Sequence, residues 1–322
     1  MQAKTMKTNL LNLLVAVALL LPLTLTGNGQ AMTRTLKKDS AIVIAAFGTT
    51  TKARATYEFF EEQLRRELPE AYKNLQIVWA FTSEIVRERA NARFEKAGRA
   101  ERYLSLPQVL ANLENEGYRK VAIQSLHIFP GQEFEDMERE IEAFRLIGLR
   151  IEYGGTLLHE WPWMFATIDL LENEFLSPDQ GYNVLVAHGT PETFPGSNSA
   201  YLGLDRYLSR KYKNVTAGGV DGVLTRDQAL ELAKAWPVKR VRFIPFMYVA
   251  GDHIMNDIMG DEPEKDGSLP WALELKQAGI TVDTLYADYK DERLFKGLGL
   301  YSEINHRYIE QLLESLQRLE ER

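Results

Sequence analysis

Beyond residue 40 the chain alternates short, unbroken apolar runs with longer amphipathic stretches. Residues 41–47 read Ala-Ile-Val-Ile-Ala-Ala-Phe and end in Gly48-Thr-Thr-Thr51. A run of this length without polar alternation predicts a strand covered on both faces, as in a parallel sheet. Similar runs at 75–81, 120–126 and 151–157 predict three more strands, and helical periodicity predicts helices near 54–68, 84–97, 104–117 and 133–147. Strand followed by helix, repeated, is the arrangement of a doubly wound α/β fold.

The second half repeats the order. Strands are expected at 183–187, 214–220, 238–245 and 281–287, with helices near 200–212, 226–236, 270–278 and 302–320. Ala45-Ala-Phe-Gly-Thr49 parallels Val186-Ala-His-Gly-Thr190, each closing the first strand of its half. Arg119-Lys-Val121 leading to Pro130-Gly131 parallels Lys239-Arg-Val241 leading to Ala250-Gly251. These parallels predict an internal duplication: two α/β lobes, each a four-stranded parallel sheet flanked by helices. Their expected extents are 32–160 and 161–322, with a link near 158–182 that includes one helix. Ligands of such sheets bind at the carboxyl ends of the strands, so a cleft between the lobes is the place for chemistry.

The first thirty residues differ from the rest. Lys4 and Lys7 precede an apolar run from Leu10 to Leu25, broken by Pro22, and Gly29-Gln30-Ala31 offers small residues for cleavage. This is the pattern of a secretory signal peptide over residues 1–31. The run is shorter than the ~20 residues a membrane span needs, so no stable anchor is expected. The expected compartment is the periplasm.

Composition narrows the chemistry. With 322 residues and 45% hydrophobic content the chain can build a sizeable core. No cysteine is present, which excludes disulfides, thiol nucleophiles and thiolate metal sites. A net charge of -7 argues against a nucleic-acid partner, which calls for a basic face. A nitrogen-ligated metal must use one or more of five histidines.

Two of these lie at predicted strand ends beside glycines: His188 before Gly189, and His253 after Ala250-Gly251-Asp252. Asp221 follows the second strand of that half in Gly218-Gly-Val-Asp-Gly222, and Glu133 takes the position equivalent to His253 in the first lobe. Two imidazoles and a carboxylate make an open site for a borderline divalent cation, with Glu133 opposite as a general base. The plainer readings are strand-end histidines bonded to loop amides, and a Glu133 that serves only its helix N-terminus. His127 reads as a satisfied core or supporting histidine, His159 as a surface residue, and His306 as part of the terminal helix. The acidic series Asp252, Asp257, Asp261, Glu262, Glu264 reads as a solvated face. Gly48-Thr-Thr-Thr51 with Lys52 and Arg54 offers an anion site, but lacks the spacing of a phosphate loop.

Ala46-Phe-Gly-Thr49, Ala80-Phe-Thr-Ser83, Gln124-Ser-Leu-His-Ile128 with Gly131-Gln-Glu-Phe134, His188-Gly189, and Val249-Ala-Gly-Asp-His253 with Asn256-Asp257 resemble the anaerobic cobaltochelatases of the class II chelatase family. The resemblance covers the chain after residue 40, in the family's order. It implies insertion of Co2+, the substrate metal, into sirohydrochlorin or a related tetrapyrrole during cobalamin synthesis, with release of two protons and no organic cofactor. It carries metal binding onto His188 and His253 and the acidic active-site role onto Glu133. The family's further ligand is usually Glu in a Gly-x-Val-Glu context, where this chain has the shorter Asp221. Residues 191–198 also depart from the family pattern, while the export signal is similar to that of its periplasmic members. Lys52, Arg54, Arg87 and Arg89 are candidate partners for substrate carboxylates. Two alternatives stand beside this reading: an exported carrier of metal or tetrapyrrole such as haem, and a chelatase for Fe2+ or Ni2+. Self-association is left open.

Overall fold

The computed structural model describes residues 35–191, 195–264 and 267–321; the expected signal segment lies outside them. Met1–Leu36 and Lys37–Arg322 are separate units, and the second carries the fold. Its first half runs β1 (Ala41–Ala46), α1 (Ala55–Glu67), β2 (Ile77–Phe81), α2 (Glu84–Lys96), α3 (Leu106–Asn115), β3 (Lys120–Ser125), α4 (Gln132–Leu146) and β4 (Arg150–Gly154). After α5 (Trp161–Leu171) the second half runs β5 (Tyr182–Ala187), α6 (Pro195–Lys211), β6 (Val215–Gly219), α7 (Arg226–Ala235) and β7 (Arg240–Pro245). A π-helical turn (Ile254–Ile258), α8 (Trp271–Gln277), β8 (Thr281–Thr284), β9 (Tyr286–Tyr289), β10 (Glu292–Phe295) and α9 (Ser302–Glu320) complete it.

The two large sheets have the same order, β2-β1-β3-β4 and β6-β5-β7-β8, and all their pairings are parallel. All six residues of β1 and all six of β5 are buried, which is why both are apolar without alternation apart from Asn183, whose side chain bonds the Leu176 backbone. One face of the first sheet packs on α3 and α4 through Leu106, Leu110, Met137 and Ile141. The matching face of the second packs on α7 and α8 through Leu230, Trp271 and Leu275. The other faces share one core with α1, α5, α6 and α9, from Ile44 and Phe60 to Leu185 and Leu204. The lobes are therefore joined by continuous apolar packing.

The likeness of the two halves extends to the turns that face each other. Gly48 after β1 and Gly189 after β5 both have positive φ, 102° and 87°, a conformation open mainly to glycine. Each donates its N–H to a buried tyrosine hydroxyl, Gly48 to Tyr57 at 3.0 Å and Gly189 to Tyr201 at 3.2 Å. Across the cleft Gly131 lies against Thr190, and Gly251 against Thr49.

Two features differ from the sequence reading. The stretch 281–287 is not one strand: β8 ends at Thr284, and β9 turns back as a hairpin with β10 about Lys290, whose φ is 51°. That hairpin reaches the first lobe, where Lys290 pairs with Glu58 and Glu62, each at 3.1 Å. The terminal helix α9, expected within the second lobe, lies on the first sheet. Arg318 reaches Glu152 at 3.2 Å, and the Tyr308 hydroxyl donates to the His127 carbonyl at 2.9 Å. Its buried stripe of Ile304, Tyr308, Leu312, Leu316 and Leu319 covers that face.

Candidate active site

In both sheets the strand order switches sides between the first strand and the third, and the residues that follow β1 and β3 face those that follow β5 and β7. A cleft of about 520 Å3 opens there. The first lobe contributes Phe47, Gly48, Ser83, Arg89, His127 and Glu133 to its wall, and the second His188, Thr190, Tyr201, Met247, Asp252 and His253. Ser83 is both wall and N-cap of α2, its hydroxyl accepting from Val86 N–H at 3.4 Å.

His188 directly follows β5. Its ring centroid lies 4.9 Å from that of His253 and 5.5 Å from that of Phe47. His188 Nδ1 is 3.2 Å from the Gly189 carbonyl, and His253 Nδ1 is 2.5 Å from Asp257 Oδ2. A carbonyl and a carboxylate can only accept, so each ring carries a proton on Nδ1, and in the neutral ring the lone pair lies on Nε2. The cleft thus receives two imidazoles in the tautomer a metal ion needs. Burial pushes the His188 pKa down, helped by its neighbour His253, and the charges of Glu133 and Asp221 only partly oppose this. His253 shifts the other way, raised chiefly by its hydrogen bond to Asp257.

Glu133 stands in the first turn of α4, where the N-cap Gly131 supplies no side-chain cap. Among the described residues no hydrogen bond or ion pair holds its half-buried carboxylate.

Asp221 is placed differently from the expected ligand set. Its backbone N–H donates to the His188 carbonyl at 3.1 Å, and a Cβ on Gly189 would come within 1.8 Å of its carbonyl oxygen. Its carboxylate turns back to accept from Gly222 N–H at 2.8 Å and is exposed rather than part of the cleft wall. Among the described residues no three carboxylate or imidazole groups converge as a ready-made metal cage.

His127 lines the cleft with both ring nitrogens engaged, Nε2 by Thr82 Oγ1 at 2.9 Å and Nδ1 by Ser125 Oγ at 2.8 Å. Ser125 Oγ accepts the His127 backbone N–H and is free to donate to Nδ1; Nε2–H then donates to Thr82. Burial holds the pKa of this ring down at about 4. His159, whose Nδ1 faces the Thr156 carbonyl, and His306, paired with Glu67 and Glu310, lie outside the cleft wall.

Of the four candidate cations only Arg89 lines the cleft. Lys52 donates to the Arg293 carbonyl, Arg54 to Glu101, and Arg87 to the carbonyls of Phe81 and Thr82. Asp257, read from sequence as part of a solvated face, is the partner of His253. Its spacing of four from His253 was the available signal. Tyr57 and Tyr201 were not singled out, since nothing marks a tyrosine inside an amphipathic helix as facing a glycine turn.

The family model described as cobalt chelatase (CbiK) matches residues 40–317. A sirohydrochlorin cobaltochelatase (CbiKC) of Nitratidesulfovibrio vulgaris is 29% identical over 249 residues, 74% of this chain and 80% of the relative. A sirohydrochlorin cobaltochelatase of Salmonella typhimurium is 27% identical over 242 residues, 74% of this chain and 86% of the relative. Among solved structures, SirB from Bacillus subtilis with Fe3+ matches with a TM-score of 0.55 at 13% identity, over 88% of this chain and 98% of SirB. The cobalt complex of the sirohydrochlorin chelatase SirB from Bacillus subtilis subspecies spizizenii matches with a TM-score of 0.53 at 14% identity, over 87% of this chain and 96% of that one. At such identities the likeness concerns the fold.

Proposed function

The chain belongs to the cobalt chelatase (CbiK) family, and on that premise we propose that it inserts Co2+ into sirohydrochlorin. The observation that carries this reading is the pair of half-buried imidazoles on one wall of the cleft, 4.9 Å apart by ring centroid, each with Nδ1 engaged so that Nε2 is the lone-pair nitrogen of its neutral ring. Two neutral nitrogens suit a borderline divalent ion and leave its remaining positions to water and to the incoming macrocycle. Asp221 joins them as the anionic ligand once its carboxylate releases Gly222 N–H. Partial coordination matters, because the metal must leave these ligands for four pyrrole nitrogens.

The tetrapyrrole lies flat between the lobes, with Phe47 and Met247 among the apolar groups around it. Arg89 at the cleft wall receives one of its carboxylates. As Co2+ enters, two pyrrole N–H bonds break and the macrocycle becomes a dianion, so charge balances when two protons leave. Glu133, on the opposite lobe from the histidines, accepts the first proton and passes it to solvent. His127 takes no part in that transfer, since both its nitrogens are occupied and its pKa of about 4 keeps it neutral.

The export signal read at residues 1–31 supports a periplasmic site of action; fractionation of cells expressing the full chain, with activity recovered only from the cytoplasm, would refute it. The reaction is tested by mixing purified protein with sirohydrochlorin and Co2+ and following the absorption change of metallation. Acceleration over the protein-free rate is expected. Binding of metal or tetrapyrrole without acceleration would make the protein a carrier.

A further inference from the structure

The proposed site leaves one interaction behind His253 unassigned. Asp257 does not line the cleft, yet its Oδ2 lies 2.5 Å from His253 Nδ1. The contact is carried on an unusual backbone. Residues Ile254–Ile258 form a π-helical turn, with Met259 N–H donating to the Ile254 carbonyl at 3.0 Å across five residues. Such turns are rare and carry a cost that persists where a side chain must be re-aimed. The turn closes at Gly260, where a Cβ would come within 2.2 Å of the Asn256 carbonyl oxygen. Ile254 and Ile258 are fully buried in the second lobe's outer core, which fixes the turn from beneath. On its exposed side Asn256 Nδ2 donates to Asp252 Oδ1 at 3.0 Å. The turn is thus held by its core, its closing glycine and a side-chain brace, and Asp257 is delivered under the imidazole.

We propose that Asp257 is the positioning residue of the metal site: it fixes the His253 tautomer and ring orientation so that Nε2 faces His188 and the incoming ion. The inference rests on the reading of His188 and His253 as metal ligands and goes beyond it. A carboxylate accepting from Nδ1–H excludes the tautomer with a protonated Nε2, and its charge makes Nε2 a better donor. His188 has only the neutral Gly189 carbonyl in this role. The two ligands are therefore unequal: His253 is the anchored one, and His188 the one freer to release the ion.

The test is a Co2+ titration of the intact protein without tetrapyrrole, followed by the visible ligand-field bands of the bound ion. The unaltered chain, D257A, D257N and H253A are compared, with tetrapyrrole affinity measured in parallel. D257A is expected to weaken Co2+ binding by about 10- to 100-fold and to change the band positions. D257N, which keeps an acceptor but loses the charge, should fall in between. Tetrapyrrole affinity should hold in both, a split that a merely structural role for Asp257 would not give. Co2+ affinity in D257A within about twofold of the unaltered chain would overturn the inference alone. Ligand-field bands that survive H253A would overturn the ligand assignment and the inference with it.

Discussion

His127 makes stability depend on pH in a way that can be worked out in advance. Its half-buried ring is desolvated by the surrounding protein, with a pKa of about 4 against 6.5 for an unperturbed histidine. As pH falls the unfolded chain therefore binds a proton before the folded one does. The contribution is complete above pH 6.5 and is lost progressively as pH falls towards 4. The difference corresponds to about 3 kcal/mol in all, with about 1 kcal/mol gone by pH 5.5 and most of it by pH 4.5. Other groups titrate in this range, including His253 and His306, both shifted upward by carboxylate partners. The assay therefore compares urea unfolding of the unaltered protein and H127Q at several pH values and follows only the change in their difference. The unaltered protein should lose about 2 to 3 kcal/mol relative to H127Q between pH 7.5 and 4.5. A difference that stays constant within about 0.5 kcal/mol would refute the placement of a neutral, doubly bonded imidazole at the cleft wall.

Three further outcomes follow from the same geometry. Replacing Arg89 by Ala should raise the KM for sirohydrochlorin several-fold with little change in kcat, because a ground-state carboxylate contact is lost; replacing Lys52, already bonded to the Arg293 carbonyl, should change neither. G189A should destabilise the fold by at least about 2 kcal/mol, since its Cβ would lie 1.8 Å from the Asp221 carbonyl oxygen at a φ of 87°. G98A, with a φ of 66° but open space around it, should cost only about 1 kcal/mol in the same denaturation assay. E133Q should lower kcat for metallation by about 10- to 1000-fold while Co2+ affinity holds, which single-turnover kinetics and metal titration separate.

The sheets were legible because fully buried parallel strands leave unbroken apolar runs, as in 41–46 and 184–187. The duplication was legible because the glycine turns at Gly48 and Gly189 repeat a backbone conformation that few other residues adopt. His188 and His253 could be singled out from their place beside glycines at strand ends. Their tautomers could not, because these depend on Gly189 O and on a π-helical turn with no sequence signature of its own. The direction of the Asp221 carboxylate was equally hidden, being set by an adjacent backbone N–H. The docking of α9 on the first sheet is a tertiary choice: its apolar stripe declares a buried face without saying which sheet receives it. The β9–β10 hairpin was missed because 281–287 reads as one β-rich run, while the break at Leu285 is imposed by packing.

The assignment of the two histidines is tested most directly by Co2+ insertion into sirohydrochlorin in H188A, H253A and the double variant, each confirmed as folded. Each single variant should lose metallation by at least about 100-fold, and the double variant should be little worse than the weaker single, as expected of groups acting as one unit. Metallation at the unaltered rate in either single variant would contradict the assignment.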